Sequence, residues 1–115
     1  MTGAVPPDAG FSVIRLHGEA DAYSAPTVRD DVATALGGQA PLVIDLTGAT
    51  FVDSTIVGVM LESMRHCEDE HRPFLLLLPD DAAPEVHRLF ELTGLNGLLP
   101  VVKSWEEAAQ RLAAR

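Results

Sequence analysis

Three observations predict an α/β fold. Short apolar runs recur near residues 11–17, 42–46, 74–78 and 98–102. Segments with apolar residues at helical spacing separate these runs and close the chain. Each connection is long enough for a crossover helix rather than a hairpin turn, so neighbouring strands should be largely parallel. A length of 115 residues suits one compact domain.

Taken in order, residues 1–10 (MTGAVPPDAG) carry Pro6, Pro7, Gly3 and Gly10 and read as a flexible arm. They have neither a basic nor an apolar run, which predicts no signal peptide. Residues 11–17 (FSVIRLH) alternate as a strand ended by Gly18. A helix over 24–36 follows, with Ser24 as N-cap, Pro26 in the first turn, and Val28, Val32, Ala35 and Leu36 at helical spacing. Gly37 and Gly38 stop it. Residues 42–46 (LVIDL) are apolar except for Asp45, as expected of a strand covered on both faces.

After a short segment, 47–53, the spacing predicts a second helix over 54–70. Its buried stripe is Val57, Met60, Leu61, Met64 and Cys67. Pro73 ends that region, and 74–78 (FLLLL) is the third strand. The third helix, 82–93, has Pro84 in its first turn, Val86, Leu89 and Phe90 inward, and Gly94 at C′. A last strand covers 98–102. Ser104 and Glu107 form a capping box for a final helix that turns Trp105, Ala108, Ala109 and Leu112 inward.

Composition narrows the function classes. Eight Lys plus Arg against 17 Asp plus Glu give a net charge of −9, which disfavours nucleic acid and anionic membrane surfaces as partners. With 47% hydrophobic and 22% charged residues the chain should fold. The single cysteine, Cys67, excludes an intrachain disulfide and fits a reducing cytoplasm. The longest apolar run, 74–78, falls far short of the ~20 residues of a membrane helix. No Gly-rich phosphate loop, G-x-S-x-G elbow or H-E-x-x-H motif occurs. Cys67 and His71 lie one helical turn apart, but no third ligand has suitable spacing, so they read as a buried thiol beside a solvated imidazole. The expectation is a non-enzymatic protein with no cofactor and no metal.

One place stands out: Phe51-Val52-Asp53-Ser54-Thr55, where small polar residues open the second helix. A helix N-terminus presents unpaired amides and partial positive charge to an oxygen-rich group. The plainer reading is that Asp53 or Ser54 is an ordinary N-cap worth about 1 kcal/mol.

The run from Phe11 to the C-terminus resembles a STAS domain of the anti-sigma-factor-antagonist type. The carrying residues are Gly18-Glu19-Ala20-Asp21, Leu42-Val43-Ile44-Asp45-Leu46, Phe51-Val52-Asp53-Ser54-Thr55, the segment 86–95 (VHRLFELTGL), and 98–108. The resemblance implies a domain over 11–115 with a mixed, mostly parallel sheet of four to five strands and four helices. It implies that Ser54 is phosphorylated by a partner kinase that is itself the anti-sigma factor, a histidine-kinase-like ATPase, and reset by a serine phosphatase. Asp21 and Asp53 would lie near Ser54 and, with Thr55 and Ile56, form the partner surface. The unphosphorylated form would bind the anti-sigma factor and free a sigma factor. Ile56 stands where the family carries glycine, and Ala20 replaces a larger aliphatic residue. The strand that commonly precedes Phe11 has no counterpart pattern in 1–10. The other reading the sequence leaves open is a non-switching STAS module in a signalling scaffold or transport complex.

Overall fold

A computed structural model describes residues 10–113. Its elements are β1 (Ser12–Ala20), α1 (Ala25–Leu36), β2 (Leu42–Val52), α2 (Ser54–Asp69), β3 (Phe74–Leu77), α3 (Pro84–Thr93), α4 (Leu95–Leu98), β4 (Val101–Val102) and α5 (Trp105–Ala113). Among the described residues the four strands form one sheet in the order β1-β2-β3-β4, every neighbouring pair parallel. The single α/β domain is as predicted, with four long helices and one single-turn helix. The expected arm, 1–10, falls outside the described residues except for Gly10.

Strand alternation sorts the side chains into two cores. Ile14 and Leu16 of β1, Leu42, Ile44 and Leu46 of β2, and Phe74 and Leu76 of β3 face α1, α2 and α3. Val43, Leu75, Leu77 and Val102 face the other way, under Ala108 and Trp105 of α5. Strands in sequential order joined by crossovers of one hand place the connecting helices on one face, which leaves the other to the C-terminal helix. Phe11 and Trp105 meet there with ring centroids 5.5 Å apart.

Four expectations about the course of these elements are corrected by the structure. First, β1 does not stop at Gly18: that glycine adopts φ +61°, and the strand continues to Ala20 through register shifts around His17 and Glu19. Second, β2 runs on with it, so the segment expected as a connection from residue 47 is paired strand up to Val52. Both strands therefore extend to the start of α2.

Third, β4 is only Val101–Val102. Gly94 at φ +73° turns the chain so that Leu95–Leu98 makes one helical turn, with Leu99 N–H donating to Leu95 O at 2.8 Å. Fourth, the buried stripe of α2 is Ile56, Val59, Met60, Ser63 and Cys67, with Val57, Leu61 and Met64 on its flanks. Ser63 is accommodated there because its hydroxyl donates to Val59 O at 2.7 Å. The capping box of α5 forms as expected: Glu107 N–H donates to Ser104 Oγ at 3.0 Å, and Glu107 Oε1 accepts from Lys103 N–H at 2.8 Å. Ala109, expected inward, is exposed.

Candidate functional site

The extensions of β1 and β2 bring the two distinctive sequence segments together. Ala20 is opposite Val52 in the register, and Asp53 N–H donates to Ala20 O at 3.1 Å. The turn after β1 and the first turn of α2 thus share one end of the sheet, at the carboxyl ends of parallel strands, where ligands of open α/β sheets commonly bind.

Asp53 joins the two segments. Its backbone is extended, and its Oδ1 accepts from Ile56 N–H at 3.1 Å, making Asp53 the N-cap of α2. Its Oδ2 accepts from Ala22 N–H at 2.9 Å, across 31 residues of sequence. The turn is further fixed by Asp21, whose Oδ1 accepts from Tyr23 N–H at 3.0 Å and Ser24 N–H at 3.2 Å. Asp21 N–H in turn donates to Ser24 Oγ at 3.0 Å. The Ser24 hydroxyl is thereby drawn into the turn and makes no cap bond to α1, contrary to its expected role there.

With Asp53 as cap, Ser54 is the first residue of α2 and is exposed. Its hydroxyl makes no hydrogen bond among the described residues, and neither do the amides of Ser54 and Thr55 at the helix end. A free hydroxyl therefore stands on a locally positive helix terminus. The surroundings are acidic: Glu19, Asp21 and Asp53 lie in the two segments, and residues 16–28 and 46–64 contain no lysine or arginine. Thr55 is half-buried. Ile56 is the correction: its side chain is 0% exposed, packed in the α2 core, so it does not stand at the surface expected of it.

Two features escaped the sequence reading. Tyr23 is 95% exposed on the pinned turn, and Phe51 is 45% exposed near the end of β2. The only signal for Tyr23 was an aromatic residue inside an otherwise small and polar turn.

Beside α5 opens a cavity of about 450 Å³, lined by Arg15, His17, Asp45, Thr47 and Trp105 among others. Asp45 is buried there, 3.6 Å from Arg15 Nε, and accepts from the Thr47 hydroxyl at 2.6 Å. The mid-strand carboxylate is thus satisfied on the second sheet face. Burial pushes the Cys67 thiol above its ordinary range, with nearby Arg72 opposing that shift. Among the described residues no group of three or more His, Cys, Asp or Glu is arranged to hold a metal ion. No described helix is long and apolar enough to cross a membrane.

Comparison with known proteins gives a consistent set of likenesses. A family model described as "Mlab, STAS domain" matches residues 8–100. The anti-sigma F factor antagonist of Lysinibacillus sphaericus is 33% identical over 86 residues, covering 73% of this chain and 71% of that protein. An anti-sigma factor antagonist from Mycobacterium paratuberculosis superposes with TM-score 0.76 at 25% identity, over 89% of this chain and 85% of the other. The Bacillus cell fate determinant SpoIIAA in its phosphorylated form superposes with TM-score 0.62 at 28% identity, over 90% and 92%.

Proposed function

This chain belongs to the STAS-domain family, and on that premise we propose that it is an anti-sigma-factor antagonist switched by phosphorylation at Ser54. The observation that carries the reading is the division of labour at the α2 start. Asp53 caps the helix, and the serine after it keeps an exposed, uncommitted hydroxyl. The likeness to SpoIIAA, a protein solved in a phosphorylated form, supports it.

The unmodified protein binds an anti-sigma factor and so releases a sigma factor, regulating transcription without touching DNA. It works by binding rather than by catalysis, in the cytoplasm. The anti-sigma factor is a serine kinase of the histidine-kinase-like ATPase type. In its site Ser54 Oγ attacks the γ-phosphorus of ATP, the hydroxyl proton is lost, and ADP leaves. The product carries about −1.5 to −2 charges at Ser54, beside Asp53 and near Asp21. A serine phosphatase returns the hydroxyl by hydrolysis.

Repulsion between that phosphate and the carboxylates is offset by the helix terminus, worth about 0.3–1 kcal/mol at an exposed site. The fold therefore changes little, and the block falls on the partner contact, where the steric bulk and desolvation of the phosphate cost several kcal/mol. The reading is tested by incubating the chain with the kinase and radiolabelled ATP. Label should enter wild type and vanish with Ser54→Ala; label retained on Ser54→Ala contradicts the assignment.

A further inference from the structure

We propose that Tyr23 is the principal aromatic anchor of the partner-binding surface, presented by the turn that Asp53 fastens to the start of α2; this rests on the antagonist reading above. Tyrosine buries a large amphipathic area at little conformational cost, which is why exposed rings at interfaces so often dominate binding. Tyr23 is 95% exposed, and the turn that carries it is fastened by the hydrogen bonds of Asp21 and Asp53.

The rigidity is visible in the backbone on both sides of the ring. Tyr23 N–H is held by Asp21 Oδ1 at 3.0 Å, Ala22 N–H by Asp53 Oδ2 at 2.9 Å, and Ala25 N–H by Asp21 O at 2.9 Å. A ring on a turn fixed at residues 22, 23 and 25 loses little backbone entropy on docking. Asp53 has both carboxylate oxygens committed, to Ile56 and Ala22. It is therefore a positioning residue, and its influence on the partner runs through the turn it holds.

Charge identifies the occupant. Asp21 and Asp53 bind the backbone of the turn itself, Glu19 precedes it in β1, and residues 16–28 and 46–64 contain no lysine or arginine, on a chain of net charge −9. The complementary surface is a protein pocket lined by apolar side chains and rimmed by Arg or Lys, on the anti-sigma factor itself. A phosphate on Ser54 would stand at the edge of the same contact, where its bulk and tightly held water keep the ring from seating in its pocket.

The test is a binding titration of the purified anti-sigma factor that phosphorylates Ser54 against wild type, Tyr23→Ala, Tyr23→Phe and Ser54→Asp. Tyr23→Ala should weaken binding roughly thirtyfold or more, while Tyr23→Phe stays within about threefold. Because the ring is exposed, the melting temperature of both tyrosine variants should match wild type. Tyr23→Ala binding as tightly as wild type would overturn the proposal. Ser54→Asp binding as wild type while Tyr23→Ala does not would instead overturn the switch reading and leave the anchor standing.

Discussion

Replacing Asp53 by alanine removes two hydrogen bonds from different elements at once, and their sum can be worked from the structure. The bond from Ile56 N–H is the N-cap of α2, and losing an Asp cap to Ala costs about 0.5–2 kcal/mol. The bond from Ala22 N–H lies at an exposed site, where water can replace it, so about 1 kcal/mol is appropriate. Together they come to about 2 kcal/mol. At an unfolding entropy of about 2.1 cal/mol/K per residue, a chain of 115 residues loses about 8 °C in melting temperature.

Asparagine separates the two contributions. It caps helices as well as aspartate but offers one acceptor oxygen, so Asp53→Asn should lose only the Ala22 bond and melt about 4 °C below wild type. Calorimetry gives the two shifts, and amide exchange at Ala22 gives the local one: it should accelerate in both variants. The reasoning fails if Asp53→Ala melts within about 2 °C of wild type, or if the Ala22 amide exchanges at the wild-type rate in Asp53→Asn.

The other expected outcomes concern the core and the thiol. Ile56 is fully buried, so Ile56→Gly should cost about 3–6 kcal/mol, combining a large-to-small core loss with glycine's helix penalty; Ile56→Val should cost only about 0.5–1.5. Urea titrations giving Ile56→Gly a loss near 1 kcal/mol would return that side chain to the surface. Leu76, at the centre of β3 and also fully buried, should lose about 2–5 kcal/mol as Leu76→Ala, a large part of the 5–15 kcal/mol such a domain has. A loss below about 1 kcal/mol would contradict its central place.

Because burial raises the Cys67 pKa, the folded state holds the thiol proton more tightly than the unfolded chain. The associated stability is intact below the ordinary pKa of 9.0 and declines as pH rises toward the higher folded value. Native Cys67 should therefore resist alkylation at pH 8 and react readily in denaturant; equal rates would show an accessible thiolate.

Much of the fold could be read from the sequence because each helix carried its own start or stop. Pro84 and Gly94 bound α3, and Ser104 with Glu107 opens α5 as written. What stayed hidden has physical reasons. The ends of β1 and β2 contain Gly18, Gly48 and exposed polar residues, which read as turns; only pairing between the strands keeps them extended. An apolar run between glycine and proline, Gly97-Leu98-Leu99-Pro100, does not distinguish a strand from a single helical turn, and the left-handed Gly94 decides for the latter. The phase of the α2 stripe was ambiguous because Ile56, Val57, Val59, Met60, Leu61 and Met64 offer two overlapping apolar stripes, and the buried one runs through the polar Ser63. Asp21, Asp53 and Ser54 were singled out by the family resemblance rather than by any spacing rule. The bond between Asp53 and Ala22 was not, because it joins residues 31 apart through a register that the sequence does not display.

The central claim is that Ser54 controls partner binding without remaking the domain. It is tested most directly by one paired measurement, a thermal melt and a titration with the anti-sigma factor, on the Ser54-phosphorylated protein beside the unmodified one. Melting temperatures should lie within about 4 °C of each other, equivalent to about 1 kcal/mol, and affinity should be lower by more than about a hundredfold in the phosphorylated form. Equal affinity in the two forms would remove Ser54 from the switch, and a melt shifted by far more than 4 °C would mean that phosphorylation acts by rearranging the fold.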